Sequence, residues 1–432
     1  MIGSELPKGW KLVPLKEITS IIRGVSYPKE EAKLHPEENY VHILRGGNIQ
    51  DGKIVFETDD NVYVNSSLVG EEQFVLKDDV VIVASTGSKK VIGKAATIEE
   101  DSRCISFGAF LLLLRTNVID KRFHSYFFQT QYYRNTISSL AGGININNIK
   151  KEHIENLQIP LPPLTEQKQI AEKLDKLFDQ IETIKEASNK IPELLKNFRQ
   201  QVLTYAVTGK LTERWRIENE IENEFVSIET DKHRDYNYNI PDTWKLLSFS
   251  NVVSIESNLV NTNDYKDYPL IAPDNIESMT GRILSKPTVA EIAPKSSKHY
   301  FTKDSLVYSK IRPYLSKIAY VDFDGLCSAD MYPLKTKLNI FYLYYYMLSS
   351  EFLSFATTAG ERIVLPKINQ KSLNIIPVPV PSLKEQEEIV KRVQILFDIL
   401  DDVERRYNTL CEKLDKLPQA LLCKAFNGEL AL

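Results

Sequence analysis

Apolar side chains in the middle of the chain fall at Ile170, Leu174, Leu177, Ile181 and Ile184, in alternating steps of four and three. The phase continues through Ile191, Leu195, Phe198, Val202 and Tyr205. Near the C-terminal end the same rhythm returns at Ile389, Val393, Leu396, Leu400 and Val403, then at Tyr407, Leu410, Leu414, Leu417 and Leu421. A sustained a/d heptad is the seam of a coiled coil, narrower than the stripe of a lone surface helix. Each seam therefore wants a helical partner. Two such seams in one chain are expected to pair with each other, and a coiled coil between two chains is the alternative.

Local signals set the helix ends. Pro160, Pro162 and Pro163 precede the first seam, and Pro377, Pro379 and Pro381 the second, which favours an extended approach. Ser382 with Glu385 has the spacing of a capping box. Gly209 and Gly428 stand where a helix stop prefers glycine. Pro192 and Pro418 lie inside the patterns. Each removes a hydrogen bond and crowds the preceding turn, but the heptad phase survives both, so bends are expected and not separate helices. One helix from Glu166 to Val207 would reach about 63 Å at ~1.5 Å per residue.

The two helical stretches are copies. PLPPLTEQKQIAEKLDKLFDQIE, starting at Pro160, aligns without a gap on PVPSLKEQEEIVKRVQILFDILD, starting at Pro379. Glu166/Glu385, Gln167/Gln386, Phe178/Phe397, Asp179/Asp398 and Gly209/Gly428 are identical pairs. A second anchor precedes each copy: LPKGWKL with Trp10 and IPDTWKL with Trp244. The offset falls from 234 at the tryptophans to 219 at the helices, so the first intervening block carries about 15 more residues. Between the anchors likeness is faint: HILRGGNI (His42–Ile49) against YPLIAPDNI (Tyr268–Ile276), and IVAS (Ile82–Ser85) against LVYS (Leu306–Ser309). Repeats of this length are duplicated structural units. Helices that stayed alike around blocks that diverged suit two halves doing one job on different targets.

Inside the blocks, VVIVAS (Val80–Ser85) and SLVYSK (Ser305–Lys310) read as strands. The segments Phe123–Ile137 and Phe341–Phe355 read as aromatic-rich helices, whose aromatic stripes are expected to pack cores more than to stack bases. The fold class is α/β.

Composition narrows the function. A chain of 432 residues, 43% hydrophobic, is long enough for two or more cored domains. No apolar run approaches the length of a membrane span, and the first residues lack the apolar stretch of a secretory signal. Cys104, Cys327, Cys411 and Cys423 have no CxxC spacing, and the six histidines have no ligand spacing, so no metal and no disulfide framework is expected. Cys104 and Cys327 occupy roughly equivalent places and read as core. These features place the protein in the cytoplasm, away from membranes.

A net charge of −4 leaves nucleic-acid binding to local basic clusters. Lys286–Tyr320 is the richest: Lys298, Lys303, Lys310, Arg312 and Lys317 lie there with Tyr314. In the first block Lys89, Lys90 and Lys94 follow STGS, and Arg23, Arg45 and Arg362 fall in expected loops near glycine. Lysines neutralise phosphates, and an arginine grips a guanine edge with two hydrogen bonds; a solvated charged surface is the alternative for each. GSKKVIGKA (Gly87–Ala95) has five residues between its glycines and no following Ser/Thr, so it is not a phosphate loop. No cofactor or methyl-transfer signature is visible, and the ExK-like Glu31–Lys33 is common by chance. No cofactor and no catalytic residue is assigned.

The doubled P-x-P-x-L-x-EQ approach, the heptad helix and the Gly-x-Leu exit resemble the specificity subunits of Type I restriction–modification systems over the whole chain. SKIRPYLSKIAYVDFDGLCSADMYPLK (Ser309–Lys335) also resembles their recognition domains. The resemblance implies two α/β target-recognition domains joined by two long helices in an antiparallel coiled coil, with an internal pseudo-twofold repeat. Residues 1–158 and 236–377 would be the recognition domains, 159–212 and 378–432 the helical spacers, and 213–235 a linker. It further implies a non-catalytic subunit reading a bipartite target in double-stranded DNA. Two methyltransferase (modification) subunits would dock on the helices, and restriction subunits would join. A modification-only system and a self-contained nucleic-acid enzyme are the alternatives.

Overall fold

The computed structural model describes residues 6–50, 52–56, 61–140, 147–221, 225–229, 237–358 and 366–430. The chain forms two compact units: residues 1–188 with 409–432, and residues 189–408.

In the first unit the principal elements are β1 (Lys11–Pro14), β2 (Ser20–Arg23), β3 (Tyr40–Leu44), β4 (Val62–Asn65), β5 (Val80–Val83), β6 (Ser85–Thr86), β7 (Ala95–Thr97), β8 (Ile105–Phe107), β9 (Leu111–Arg115), α1 (Lys121–Phe127), α2 (Gln131–Leu140), β10 (Asn147–Asn148), β11 (Gln158–Leu161) and α3 (Leu164–Ser188). The second contains α4 (Ile191–Val207), α5 (Glu213–Glu218), β12 (Lys245–Ser248), β13 (Val253–Ile255), β14 (Leu259–Val260), β15 (Leu270–Ile271), β16 (Lys298–Phe301), β17 (Ser305–Ser309), β18 (Ile318–Val321), β19 (Gly325–Cys327), β20 (Met331–Thr336), α6 (Ile340–Leu348), α7 (Ser350–Thr358) and β21 (Pro377–Val380). The helix α8 (Leu383–Phe426) begins in the second unit and ends in the first.

The units repeat one plan. An antiparallel sheet ordered β2-β9-β5-β7 in the first matches β13-β20-β17-β18 in the second. Beside it, β8 runs parallel to β3 in one unit and β19 parallel to β15 in the other. The strand that follows each tryptophan closes on the strand that leads into the helix: β1 on β11, and β12 on β21. The central strands are continuous apolar runs because both faces are covered, as VVIV in β5 is.

The EQ pair seen twice in the sequence joins each variable block to its helix. Glu166 accepts the Trp10 indole N–H at 3.1 Å, and Glu385 accepts that of Trp244 at 2.9 Å. Gln167 accepts the Asp120 N–H (2.9 Å), while its amide donates to the Pro162 carbonyl (2.8 Å). Gln386 does the same with Asn339 (2.8 Å) and Pro381 (2.9 Å). Asp120 and Asn339 in turn cap α1 and α6. An unpaired buried amide is costly, so one glutamine ties the helix start, the proline-rich approach and a domain helix together. The Ser382 capping box is therefore only half formed. Ser382 accepts the Glu385 N–H, but the Glu385 side chain turns to Trp244, Thr212 and Arg216.

The helical copies pack antiparallel within each unit, and also wall the domain cores. Ile170 and Leu174 are buried with Trp10, Phe123 and Phe127, and with Leu422 and Phe426 of α8. Ile389 and Val393 are buried with Trp244, Tyr342 and Tyr346, and with Val202 and Leu203 of α4. Lys185 pairs with Asp415 at 3.0 Å in the first unit, and Arg199 with Asp401 at 2.7 Å in the second. Ile181 and Leu400 are also buried, Leu177 and Leu396 half-buried, and Ile184 and Val403 exposed. The apolar stripe thus serves a domain face as well as a helix, which fills it out at the ends. The aromatic helices supply core, as expected, but each stretch is two helices, α1–α2 and α6–α7.

The two prolines behave differently. Expected as a bend, Pro192 instead sits in the first turn of α4, separate from α3, and the Ser188 hydroxyl caps the Ile184 carbonyl at 2.7 Å. A proline in the first turn forfeits no helical N–H. Pro418 lies inside the unbroken α8. Both exits use left-handed glycine: Gly209 has φ +79° and a Cβ there would meet Pro241, while Gly428 has φ +71° and would meet Pro7.

Two further expectations are corrected. Cys104 is exposed, whereas Cys327 is buried, which pushes its thiol pKa up. Strand register pairs Cys327 with Ile271 and Phe107 with Leu44, so Phe107 is the structural counterpart of Cys327. The likeness of IVAS to LVYS is out by two residues. Leu114 pairs with Val80 and Leu111 with Val83; Leu334 pairs with Leu306 and Met331 with Ser309. Val80 therefore corresponds to Leu306, and Val83 to Ser309.

Candidate nucleic-acid interface

With that register, one surface site recurs in both units. It is built where the parallel strand pair ends. After β3 the chain turns through Gly46–Asn48, and after β15 through Pro273–Asn275. Each turn is braced by its asparagine. Asn48 accepts the Arg45 N–H (2.8 Å) and donates to the Val55 carbonyl (2.8 Å). Asn275 accepts the Ala272 N–H (2.8 Å) and donates to Ser285 Oγ (2.9 Å).

The rest of the frame also matches. Gly108 N–H donates to the Leu44 carbonyl and Ser328 N–H to the Ile271 carbonyl, both at 2.9 Å. Ala84 N–H donates to the Phe110 carbonyl (2.9 Å), and Lys310 N–H to the Asp330 carbonyl (3.0 Å). Ile149 N–H reaches the Ala84 carbonyl and Ile368 N–H the Lys310 carbonyl. Ser85 pairs with Asn148, and Ile311 with Lys367. These bonds place Arg45 opposite Ala272, Gly47 opposite Asp274, Thr86 opposite Arg312, Phe110 opposite Asp330, and Asn148 opposite Lys367. The backbone is shared and the side chains are not.

In the first unit the site is an open groove of about 950 Å³, lined by Arg45, Gly46, Gly47, Ser85, Thr86 and Phe110, with Tyr27, Lys29 and Leu34 on its wall. Phe110 is 66% exposed. Gly24 makes the neighbouring strand exit possible, because a Cβ there would lie 2.1 Å from the Gly108 carbonyl oxygen. Arg23, just before it, is exposed on β2 but does not line the groove. Lys89 and Lys90 are exposed on the turn beyond β6. Lys94 belongs elsewhere: it lines a cavity of about 670 Å³ with Lys53, Arg134, Asp179 and Glu182.

In the second unit Lys310 and Arg312 stand at the matched position, beyond the end of β17. The Lys310 ammonium lies 5.2 Å from the centre of the Tyr332 ring. Burial, and then this ammonium, push the pKa of His299 down. Arg312 is exposed at φ +49°, a left-handed conformation that costs a non-glycine residue energy and is concentrated at functional sites. Its N–H is held by the Pro366 carbonyl (2.8 Å). Tyr314 follows it, 47% exposed. The Lys317 ammonium donates to the Pro273 carbonyl (2.7 Å), so it braces the adjacent turn. Lys367 pairs with Asp330 at 3.0 Å.

The basic stretch is thus divided by β17. Lys303 precedes the strand and Lys310 follows it, and the Lys303 backbone is tied to Asp324 and Lys335. Lys298 is engaged by Ser296. Arg362 lies outside the described residues. Asp274, Asp330, Lys367 and Phe110 escaped the sequence reading. Asp274 lay opposite Gly47 in the faint HILRGGNI–YPLIAPDNI likeness. Phe110, Asp330 and Lys367 had no sequence signal, because the offset between the units falls from 226 at Thr86 and Arg312 to 220 at Phe110 and Asp330.

Among the described residues, no group of His, Cys, Asp or Glu is placed to hold a metal ion. No helix among them is long and apolar enough to cross a membrane.

Comparison with known proteins agrees with this doubled plan. The family described as Type I restriction modification DNA specificity domain matches residues 7–193 and 241–412. The Type I restriction enzyme EcoDI specificity subunit of Escherichia coli is 36% identical over 440 residues, covering 100% of this chain and 90% of that protein. The EcoKI specificity subunit of Escherichia coli K12 is 34% identical, covering 100% and 91%. Among solved structures, the HsdS subunit of Thermoanaerobacter tengcongensis shares the fold with a TM-score of 0.64 at 18% identity, over 100% of both chains. With one frame built twice, and a family match spanning both copies, the chain belongs to the Type I restriction–modification DNA specificity family.

Proposed function

We propose that this chain is the DNA sequence-recognition subunit of a Type I restriction–modification complex, with no chemistry of its own. Each recognition domain reads one half of a bipartite target. The observation that carries this reading is the matched pair of sites: the same turns and backbone hydrogen bonds present Arg45, Thr86 and Phe110 in one domain and Asp274, Arg312 and Asp330 in the other. A shared scaffold with exchanged side chains is what reading two different sequences requires, because backbone contacts position a protein on DNA and side chains at base edges specify.

The division of labour follows. Lys310, Arg312, Lys89 and Lys90 meet phosphates and base edges. The helical copies, α3 with the end of α8 and α4 with its start, set the half-site spacing and offer surfaces to two modification subunits. Restriction subunits complete the complex, and S-adenosylmethionine binds the modification subunits. The protein works in the cytoplasm.

The test maps methylated adenines on genomic DNA treated with this chain and its modification subunits. A two-part motif is expected, and Lys310→Ala with Arg312→Ala should weaken its methylation. Methylation of a continuous, undivided sequence would overturn the two-reader assignment, and methyl transfer by the purified chain alone would overturn the non-catalytic one.

A further inference from the structure

The matched sites permit a finer assignment, which rests on the recognition reading above. We infer that Phe110 in the first domain and the Asp330–Lys367 pair in the second are the side chains that decide which base is accepted at one position of each half-site.

Phe110 and Asp330 occupy one structural position. Both carbonyls receive the N–H of the residue that follows the central strand, Ala84 or Lys310. Both end a tight turn, closed by Leu111 N–H on the Gly108 carbonyl (2.8 Å) and by Met331 N–H on the Ser328 carbonyl (2.9 Å). The main chain does the structural task at this position, so the side chain is released from it. The two domains then use it oppositely: a phenylalanine in one, and a carboxylate bound to a lysine in the other.

Neither choice serves the fold. Phe110 is 66% exposed on the groove that also holds Arg45, and so forgoes most of the burial that normally rewards a phenylalanine. Asp330 and Lys367 are about half exposed, where an ion pair contributes little to stability. A carboxylate on a DNA-facing surface is repelled by phosphate, which leaves base edges as its partner. Aspartate accepts from the amino group of cytosine, and lysine donates to the acceptors of the guanine paired with it. An apolar ring offers no hydrogen bond and favours the thymine methyl group. The first half-site is therefore expected to contain a required thymine at the Phe110 position. At the Asp330 position the second is expected to require a cytosine–guanine pair, with Asp330 accepting from the cytosine amino group and Lys367 donating to the guanine acceptors.

The experiment compares methylation motifs from the complex reconstituted with wild-type chain, Phe110→Ala, Asp330→Ala and Lys367→Ala. Phe110→Ser and Asp330→Asn serve as second variants, and thermal melting confirms folding. Phe110→Ala should relax a thymine in one half-site by about tenfold in preference, with the other half unchanged. Asp330→Ala and Lys367→Ala should relax one position in the opposite half. Unchanged motifs overturn the assignment. So does a uniform loss of methylation across all sequences, which marks a phosphate contact, or relaxation of the same half by both sets. A wild-type complex with no sequence preference would instead overturn the recognition reading itself.

Discussion

Removing the guanidinium of Arg216 tests the buried centre of the second unit. Arg216 and Glu385 are both almost fully buried, with 0% and 3% of their side chains exposed, and their atoms approach to 2.5 Å. Glu385 also accepts from Thr212 Oγ1 (2.7 Å) and from the Trp244 indole (2.9 Å), while Arg216 donates to the Gly209 carbonyl (2.8 Å). One carboxylate thus holds the start of α8, the anchor tryptophan and the segment after α4. Arg216→Met leaves that carboxylate charged and buried with two neutral donors, a change that costs about 3–5 kcal/mol. In the first unit Glu166 is half-exposed and bonds the Trp10 indole at 3.1 Å, so Glu166→Ala should cost ~1 kcal/mol. Glu385→Gln keeps an acceptor for Trp244 but removes the charge. The double variant should therefore recover roughly 2 kcal/mol of the Arg216→Met loss. Urea denaturation of the full chain, followed by tryptophan fluorescence and extrapolated to water, measures all four proteins. Arg216→Met costing no more than Glu166→Ala, or a double variant as unstable as the single, would refute the reasoning.

Three other outcomes follow from the same structure. His124 is buried, and its pKa is pushed down to about 3 by desolvation; Nε2 meets Thr19 Oγ1 at 2.9 Å and Nδ1 has no partner. The folded chain then binds no proton there while the unfolded chain does below about 6.5, so stability falls as pH drops. Between pH 7 and pH 5 the loss should be about 2 kcal/mol and should vanish in His124→Gln; an identical pH slope in both proteins rejects it. Asn48→Ala removes two hydrogen bonds of a buried side chain and should cost about 2 kcal/mol, relaxing only the half-site read by the first domain; Asn275→Ala should affect only the other. Methylation mapping and urea midpoints read both effects. Pro418→Ala restores an N–H for the Leu414 carbonyl inside α8 and should stabilise by ~1–3 kcal/mol, whereas Pro192→Ala in the first turn of α4 should change stability by less than about 0.5 kcal/mol. Equal midpoint shifts in the two variants would contradict the placement of these prolines.

Heptad spacing made the helical copies legible, because an a/d seam is a one-dimensional record of a helix face. The tryptophan anchors and the EQ pairs were equally visible as repeats. Their reason was not: Trp10 meets Glu166 across 156 residues, and Trp244 meets Glu385 across 141. Arg216 fell in a stretch expected to be linker, yet it is buried. No local pattern announces that, since its partner is remote in sequence. The two prolines show the same limit. Their heptad phase was identical, but their effect depended on where a helix turn began.

What the sequence determined by itself was the doubled frame: two α/β blocks, two heptad helices and the anchors that join them. Periodicity and repetition suffice for this, because they act between neighbouring turns and strands. Only the tertiary structure decided the surface proposed for recognition. It separated Lys303 from Lys310 along β17, took Lys94 to another cavity, and gathered Arg45, Thr86 and Phe110 from three distant segments. The physical reason is that a binding site selects for side chains and not for period, and side chains far apart in sequence meet only after backbone hydrogen bonds have set the register.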